Sequence, residues 1–467
     1  MTRIAIIGGG PAGYEAALVA AQLGAEVTIV DSDGLGGACV LTDCVPSKTL
    51  IATSERATAV RDAYRVGIGT DPGDVGIELA VANARVKALA KAQSADILAR
   101  VRREGVTVVP CRGRFAEQQP ARAHRVEALD PAGTVVDTLE ADVILLATGA
   151  TPRVLDTARP DGTRILSWRD VYDLDRLPDH LVVVGSGVTG AEFASAYCEL
   201  GAPVTLVSSR DRVLPGEDPD AADVIERVFI ARGGTLVKRA RAASVRVMDG
   251  GVSVELVDGK TVAGSHALMC LGSVPNVSGL GLEHVGVKLD ERGNIEVDRV
   301  SRTSGPSIYA AGDCTGVLLL ASVAGMQGRI AMWHALGEAV SPLRLKTVAA
   351  NVFTHPEIAT VGIGLAAITS GAVPGRAVTL PLATNARAKM AGLEDGFVRL
   401  FCRPATGVVI GGVVVAPNAS ELIFAITLAV HRGLTVADVA GTIGVYPALS
   451  GSVAEAARRL MVHDDLD

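Results

Sequence analysis

Residues 2–31 read TRIAIIGGGPAGYEAALVAAQLGAEVTIVD, and this stretch decides the fold. Thr2 to Ile7 is a short apolar run that reads as a buried strand. Gly8 to Gly13 is a tight turn, Pro11 to Leu23 a helix, and Glu26 to Val30 a second strand. Strand, turn, helix and strand in this order open a parallel βαβ unit. Gly8 permits the tight turn, Gly10 lets the backbone approach a pyrophosphate, and Gly13 lets the helix sit close to the strand. The helix start offers free N–H groups and the positive end of its dipole to phosphate. Asp31 closes the second strand, 18 positions past Gly13, where an acid can accept from a ribose hydroxyl.

The pattern returns 177 positions later, in LVVVGSGVTGAEFASAYCELGAPVTLVSSRDR, residues 181–212. Leu181 to Val184 and Val204 to Val207 are the strands, Gly185 to Gly190 the turn and Ala191 to Leu200 the helix. Gly185, Gly187 and Gly190 repeat the three glycine roles. One such unit binds one nucleotide, so two imply two. At the end of the second strand Ser208 replaces the ribose acid, and Arg210 and Arg212 follow. Guanidinium groups there can meet a 2′-phosphate, which points to NADPH or to use of both coenzymes. As ordinary surface charges they would carry no such meaning.

Between the units lie a long amphipathic stretch, Leu79 to Arg103, short alternating strands up to about Glu140, and a buried strand, Val143 to Leu146. From about Lys346 strands come first (Val348 to Phe353, Phe397 to Cys402, Val408 to Val415). Helices follow (Ser420 to His431, Ser452 to Val462), an α+β order.

Composition excludes several classes. The net charge is −7 and aromatics are 3% of 467 residues, so neither a basic face nor stacking platforms for nucleic acid are expected. Mean hydropathy is positive, but the most apolar stretch, Val408 to Val430, is interrupted by Gly411, Gly412, Pro417, Asn418 and Glu421. It reads as strand, turn and helix rather than as a membrane span, and no signal peptide is read at the N-terminus. Seven mostly isolated cysteines suit a reducing cytoplasm, and no metal site is read.

One cysteine pair is close: Cys39 and Cys44, within GGACVLTDCVPSK at 36–48. Five positions on a regular helix rise about 7.5 Å, beyond the reach of about 7 Å between Cα atoms that a disulfide allows. A bonded pair therefore requires a distorted or late-starting helix. Two buried free thiols satisfy the spacing equally well.

This segment resembles the redox-disulfide signature of the pyridine nucleotide–disulfide oxidoreductases, a family that includes lipoamide dehydrogenase, glutathione reductase and mercuric reductase. The resemblance runs along nearly the whole chain. Ala147-Thr148-Gly149 is similar to the strand end that leaves the FAD domain, and Gly272-Ser273-Val274-Pro275-Asn276 to the GRxPN turn, with serine in place of arginine. Ala311-Gly312-Asp313 is similar to the second FAD fingerprint, whose aspartate binds the ribityl chain. Phe353-Thr354-His355-Pro356-Glu357 and Pro417-Asn418-Ala419-Ser420-Glu421 resemble landmarks of the dimerisation domain.

The resemblance implies an α/β fold of glutathione reductase type: two Rossmann-like nucleotide-binding domains and a C-terminal α+β dimerisation domain. The implied boundaries are 1–150 and 271–345 for FAD, 151–270 for NAD(P) and 346–467 for the homodimer interface. It implies a Cys39–Cys44 disulfide, with Cys44 facing the flavin and Cys39 exchanging with substrate. It also implies a Lys48–Glu192 ion pair beside flavin N5, FAD contacts at Thr148, Gly149, Gly312 and Asp313, and NAD(P) contacts at Val188 and Gly272. Val188 occupies the place of a gating tyrosine, which implies a more open nicotinamide pocket. His355 is expected to hold a turn.

The pattern breaks near the C-terminus. Disulfide reductases of the family carry an H-P-T-x-S-E-like segment whose histidine moves protons and whose glutamate orients it. Here the segment is Tyr446-Pro447-Ala448-Leu449-Ser450-Gly451. A free tyrosine, with a pKa near about 10, is a poor base at neutral pH, and glycine orients nothing. His463, 17 positions past Tyr446, is the one later histidine. The chain is similar to an actinobacterial branch of lipoamide-dehydrogenase-like NAD(P)H:quinone reductases, and this implies electron transfer from reduced flavin to a quinone or another small acceptor. The intact Cys39/Cys44 pair keeps two alternatives open, a disulfide reductase with an unidentified substrate and a redox sensor.

Overall fold

The computed structural model describes residues 1–69, 71, 73, 75–119 and 123–461. The predicted end of the last helix at Val462, and His463, lie outside the described residues.

Two parallel five-stranded sheets carry the two βαβ units. In the first the spatial order is Ile308–Ala310, Val143–Leu146, Arg3–Ile7, Glu26–Val30 and Thr107–Val109. In the second it is Thr235–Val237, Val204–Val207, Leu181–Val184, His266–Met269 and Ile165–Leu166. These strands are near-continuous runs of Val, Ile and Leu because helices and smaller sheets cover both faces. Ile4 and Ile6 point into one buried cluster, and Ala5 and Ile7 into another. That alternation is the two-residue period of a strand buried on both sides.

The helices Pro11–Gln22 and Val188–Leu200 cross over from these sheets. The second begins three residues before the predicted start at Ala191, since Val188 and Thr189 follow Gly187 as Pro11 and Ala12 follow Gly10. Leu79–Arg103 is a single helix, as its apolar spacing indicates. Ala321–Ala335 packs on Pro11–Gln22 so closely that Gly328 faces the Ala12 carbonyl, where a Cβ would clash. A short antiparallel pair, Ala150–Pro152 with Ser273–Pro275, ties the two nucleotide units together where the chain passes between them.

The C-terminal sheet is antiparallel, in the order Ala349–Val352, Glu357–Gly362, Val409–Ala416, Phe397–Cys402 and Arg376–Pro381. Two of these strands, Glu357–Gly362 and Arg376–Pro381, are additional to those expected. Helices Ala419–Arg432 and Gly451–Leu460 pack on the sheet. No helix of the described residues is long and apolar enough to cross a membrane.

Candidate functional site

The two glycine turns are near-superimposable in conformation. Gly8 and Gly185 have φ of 107° and 112°, and Gly10 and Gly187 have φ of −66° and −72°. A Cβ on Gly13 would collide with the Gly8 carbonyl, and one on Gly190 with the Gly185 carbonyl. A Cβ on Gly10 or Gly187 would meet no protein atom within 4 Å. Each cradle is therefore closed where helix meets strand and open where a pyrophosphate would lie. Each thus fits the pyrophosphate of a dinucleotide.

The ends of the two cradles differ. Asp31 accepts from Gly9 N (2.6 Å) through Oδ2, and from Asp33 N (3.0 Å) and Gly34 N (2.7 Å) through Oδ1. A carboxylate has about four acceptor positions, so one is left for a ribose hydroxyl. Ser208 is fully buried and its hydroxyl meets Ser186 Oγ at 2.7 Å and Arg210 N at 3.1 Å. Arg212 is paired with Asp223 (2.9 Å), whereas Arg210 is exposed and has no ion pair among the described residues. Of the two predicted arginines, Arg210 is the one whose charge is uncommitted.

Thr148 and Asn276 lock the passage between the nucleotide units. Thr148 Oγ1 donates to Asn276 O (2.7 Å), and Asn276 Nδ2 donates to Thr148 O (2.9 Å). Gly149 O accepts from Asn276 N, and Gly272 O from Arg153 N. Gly312 N donates to Gln327 Oε1 (2.9 Å). Asp313 opens a short 3₁₀ turn, and burial, with Asp43 nearby, raises its carboxyl to about 6. Val188, the first helical residue past Gly187, is 43% exposed.

The cysteine segment breaks into two helices, Gly37–Leu41 and Cys44–Arg61, with Thr42 and Asp43 between them. Cys39 and Cys44 are free thiols here that share a hydrogen bond, where the family resemblance implies a disulfide. That bond holds the Cys39 thiol low and pushes Cys44 up; burial and Asp43 raise both, and Lys48 opposes them. Of the two sulfurs, Cys39 is therefore the more readily ionised.

Lys48 lies four positions past Cys44, one turn along the same helix. Its Nζ is 2.7 Å from Glu192 Oε2, a carboxylate that is 3% exposed. Burial acts to lower the Lys48 ammonium, but Glu192, Cys44 and Asp43 outweigh it and the net shift is upward. The net effect therefore favours the charged ammonium.

Two further residues of this cluster, Asp43 and Phe353, stand in the quoted segments without a role of their own. Asp43 precedes the second helix yet does not cap it through its side chain; burial raises its carboxyl, with Lys48 and Arg169 opposing. Phe353 donates its N–H to Glu192 Oε1 at 2.9 Å, and its ring centroid is 4.9 Å from Lys48 Nζ. That the aspartate before this helix does not cap it could not be read from the chain.

Two predicted residues lie apart. His355 accepts from Arg232 Nη1 (3.1 Å) through its carbonyl, and its N–H donates to Ser195 Oγ (3.3 Å). Burial and Arg232 lower its ring to about 4, so its 3.8 Å approach to Glu199 is not an ion pair at neutral pH. Tyr446 is 84% exposed, and no hydrogen bond links it to the cysteine cluster among the described residues. No group of three or more metal-ligating side chains occurs among the described residues.

Two glycine cradles, a thiol pair and a Lys–Glu ion pair together mark a flavin-linked oxidoreductase, and the chain belongs to the pyridine nucleotide-disulphide oxidoreductase family. Residues 2–328 match that family's model and residues 348–457 match its dimerisation domain. The family uses FAD and NAD(P)H. Over its full length the chain is 60% identical to the NAD(P)H dehydrogenase (quinone) of Mycobacterium tuberculosis, covering 95% of that protein. It is 34% identical to the dihydrolipoyl dehydrogenase of Chlorobaculum tepidum, over 97% of this chain and 96% of that one. The crystal structure of LpdA from M. tuberculosis superposes with a TM-score of 0.95 at 59% identity, covering 99% of this chain and all of the other.

Proposed function

We propose that the chain is an FAD-dependent NAD(P)H:quinone oxidoreductase. The observation that carries this reading is Tyr446 and Gly451 standing where a disulfide reductase of the family needs histidine and glutamate. The name of the M. tuberculosis relative supports it.

Bound FAD supplies the two-electron relay between the nicotinamide and the acceptor. The chain's own residues do the rest. The cradle at 8–13 and Asp31 hold one dinucleotide, with Thr148, Gly149, Gly312 and Asp313 along its path. The cradle at 185–190 holds the other, with Val188 and Gly272 at its mouth. Ser208 removes the acid that would repel a 2′-phosphate, and Arg210 offers it a charge, so NADPH is accepted as well as NADH. Lys48, fixed by Glu192, places a cation where negative charge on a reduced isoalloxazine is stabilised. A quinone reduced directly from the flavin needs neither the missing histidine nor a disulfide bond.

The proposal includes boundaries near 150, 270 and 345, a cytoplasmic location and a homodimer. The contact of Cys39 with Cys44 favours a second reading, NAD(P)H-dependent disulfide reduction in which the pair cycles between dithiol and disulfide.

Steady-state oxidation of NADPH and NADH with a naphthoquinone and with lipoamide tests the choice. Fast quinone and negligible lipoamide turnover are expected, with quinone turnover surviving in Cys39→Ser. Brisk lipoamide turnover that disappears in Cys39→Ser would overturn the proposal in favour of the second reading.

A further inference from the structure

The Lys48–Glu192 pair is completed by a third residue, from a distant part of the chain. Glu192 uses both oxygens: Oε2 holds Lys48 Nζ at 2.7 Å, and Oε1 accepts the Phe353 N–H at 2.9 Å. The Phe353 ring covers one side of the ammonium, 4.9 Å from centroid to Nζ. Two residues on, the His355 N–H donates to Ser195 Oγ at 3.3 Å, one turn past Glu192 on the same helix. Arg232 Nη1 holds the His355 carbonyl at 3.1 Å. The N–H groups of Phe353 and His355, just past the strand Ala349–Val352, thus meet side chains spaced by one helical turn. This stapling fixes the Phe353 main chain independently of its ring.

We propose that Phe353 is a positioning residue for the flavin reaction: its N–H orients Glu192 and its ring confines the Lys48 ammonium, so the dimerisation region helps to set how strongly the bound flavin holds electrons. The inference rests on the reading that Lys48 faces the flavin. A cation over an aromatic face is attracted by the negative face of the ring, the more so the less water surrounds it. Without the ring, Lys48 keeps Glu192 but loses the surface that limits where its charge sits. The reduced flavin then loses part of its electrostatic partner.

The test is the midpoint potential of FAD-replete holoenzyme, determined by equilibration with reference dyes, for wild type, Phe353→Leu, Phe353→Tyr and Lys48→Met. Leucine keeps apolar bulk and removes the π face; tyrosine keeps the face. At a fixed poise Phe353→Leu is expected to lower the ratio of reduced to oxidised flavin several-fold. Phe353→Tyr should match wild type, and Lys48→Met should show the largest drop. A Phe353→Leu potential equal to wild type, with Lys48→Met shifted, overturns the inference and leaves the placement of Lys48 intact. A Lys48→Met potential equal to wild type overturns that placement itself. Should Phe353→Leu fail to retain FAD, Phe353→Met carries the same comparison.

Discussion

Asp43 places a carboxylate beside the thiol pair, a charge that works against its ionisation. It sits between the two helices that carry Cys39 and Cys44, and its carboxylate is not used as a helix cap. A negative charge there opposes a thiolate on either sulfur, and both thiols are raised by it. Lys48 pulls in the other direction, but Glu192 already holds its ammonium. Thiol–disulfide exchange proceeds through the thiolate, so Asp43 disfavours that chemistry while leaving direct electron transfer from flavin untouched. Asp43→Asn should therefore lower the pH at which the reduced pair becomes reactive, by on the order of one unit. The pH dependence of alkylation of the reduced holoenzyme reads this directly. A midpoint that does not move, or that rises, would show that the carboxylate does not act on the sulfurs.

At the scale of elements, the two βαβ turns separate packing from ligand contact within one short motif. Gly190 is needed by the protein, because a methyl group there runs into the Gly185 carbonyl and pushes helix Val188–Leu200 off its strand. Gly187 has open space, which is where the proposed dinucleotide would approach. Gly190→Ala should lower Tm by several degrees, as expected when about 2 kcal/mol is lost in a large domain, and should also lose NAD(P)H binding. Gly187→Ala should keep its Tm and its yellow FAD while NADPH affinity falls at least tenfold. Thermal denaturation with coenzyme titration separates the two, and a Gly187→Ala protein with wild-type affinity would sink the assignment of that cradle. Much of this was legible in the chain. The strands Glu26–Val30, Val143–Leu146, Leu181–Val184, Val204–Val207 and Phe397–Cys402 and the helix Leu79–Arg103 have the bounds their hydrophobic periods indicate. Glu357–Gly362 and Arg376–Pro381 were not legible, because a prolyl turn and an edge position dilute their patterns with polar residues. Phe353 was not legible as a partner of Glu192 for a different reason. Its role is played by a main-chain N–H and a ring face across 161 positions, and no local signal carries that.

The whole molecule is where the departure at Tyr446 acquires meaning. Ile443, Val445 and Tyr446 are 99%, 79% and 84% exposed, a run of large side chains that the protomer itself does not cover. Phe424 and Leu428, on helix Ala419–Arg432, are exposed as well. The segment is held at its base by Asn385 Nδ2, which donates to Ala448 O (3.1 Å) and Ser452 Oγ (2.9 Å), so it projects from an anchored point. In a two-fold dimer every such side chain is buried twice, once in each copy. Burying one large aliphatic side chain gains roughly 1.5–3 kcal/mol, so replacing it with a charge in both copies costs at least about 3 kcal/mol of association. Ile443→Asp leaves the fold of the protomer alone, since it touches little within it. The expected result is a dimer for wild type and, for Ile443→Asp at micromolar concentration, a shift toward monomer with FAD retained. Sedimentation equilibrium reads the mass and flavin absorbance the cofactor. A variant as dimeric as wild type would place the two-fold contact elsewhere.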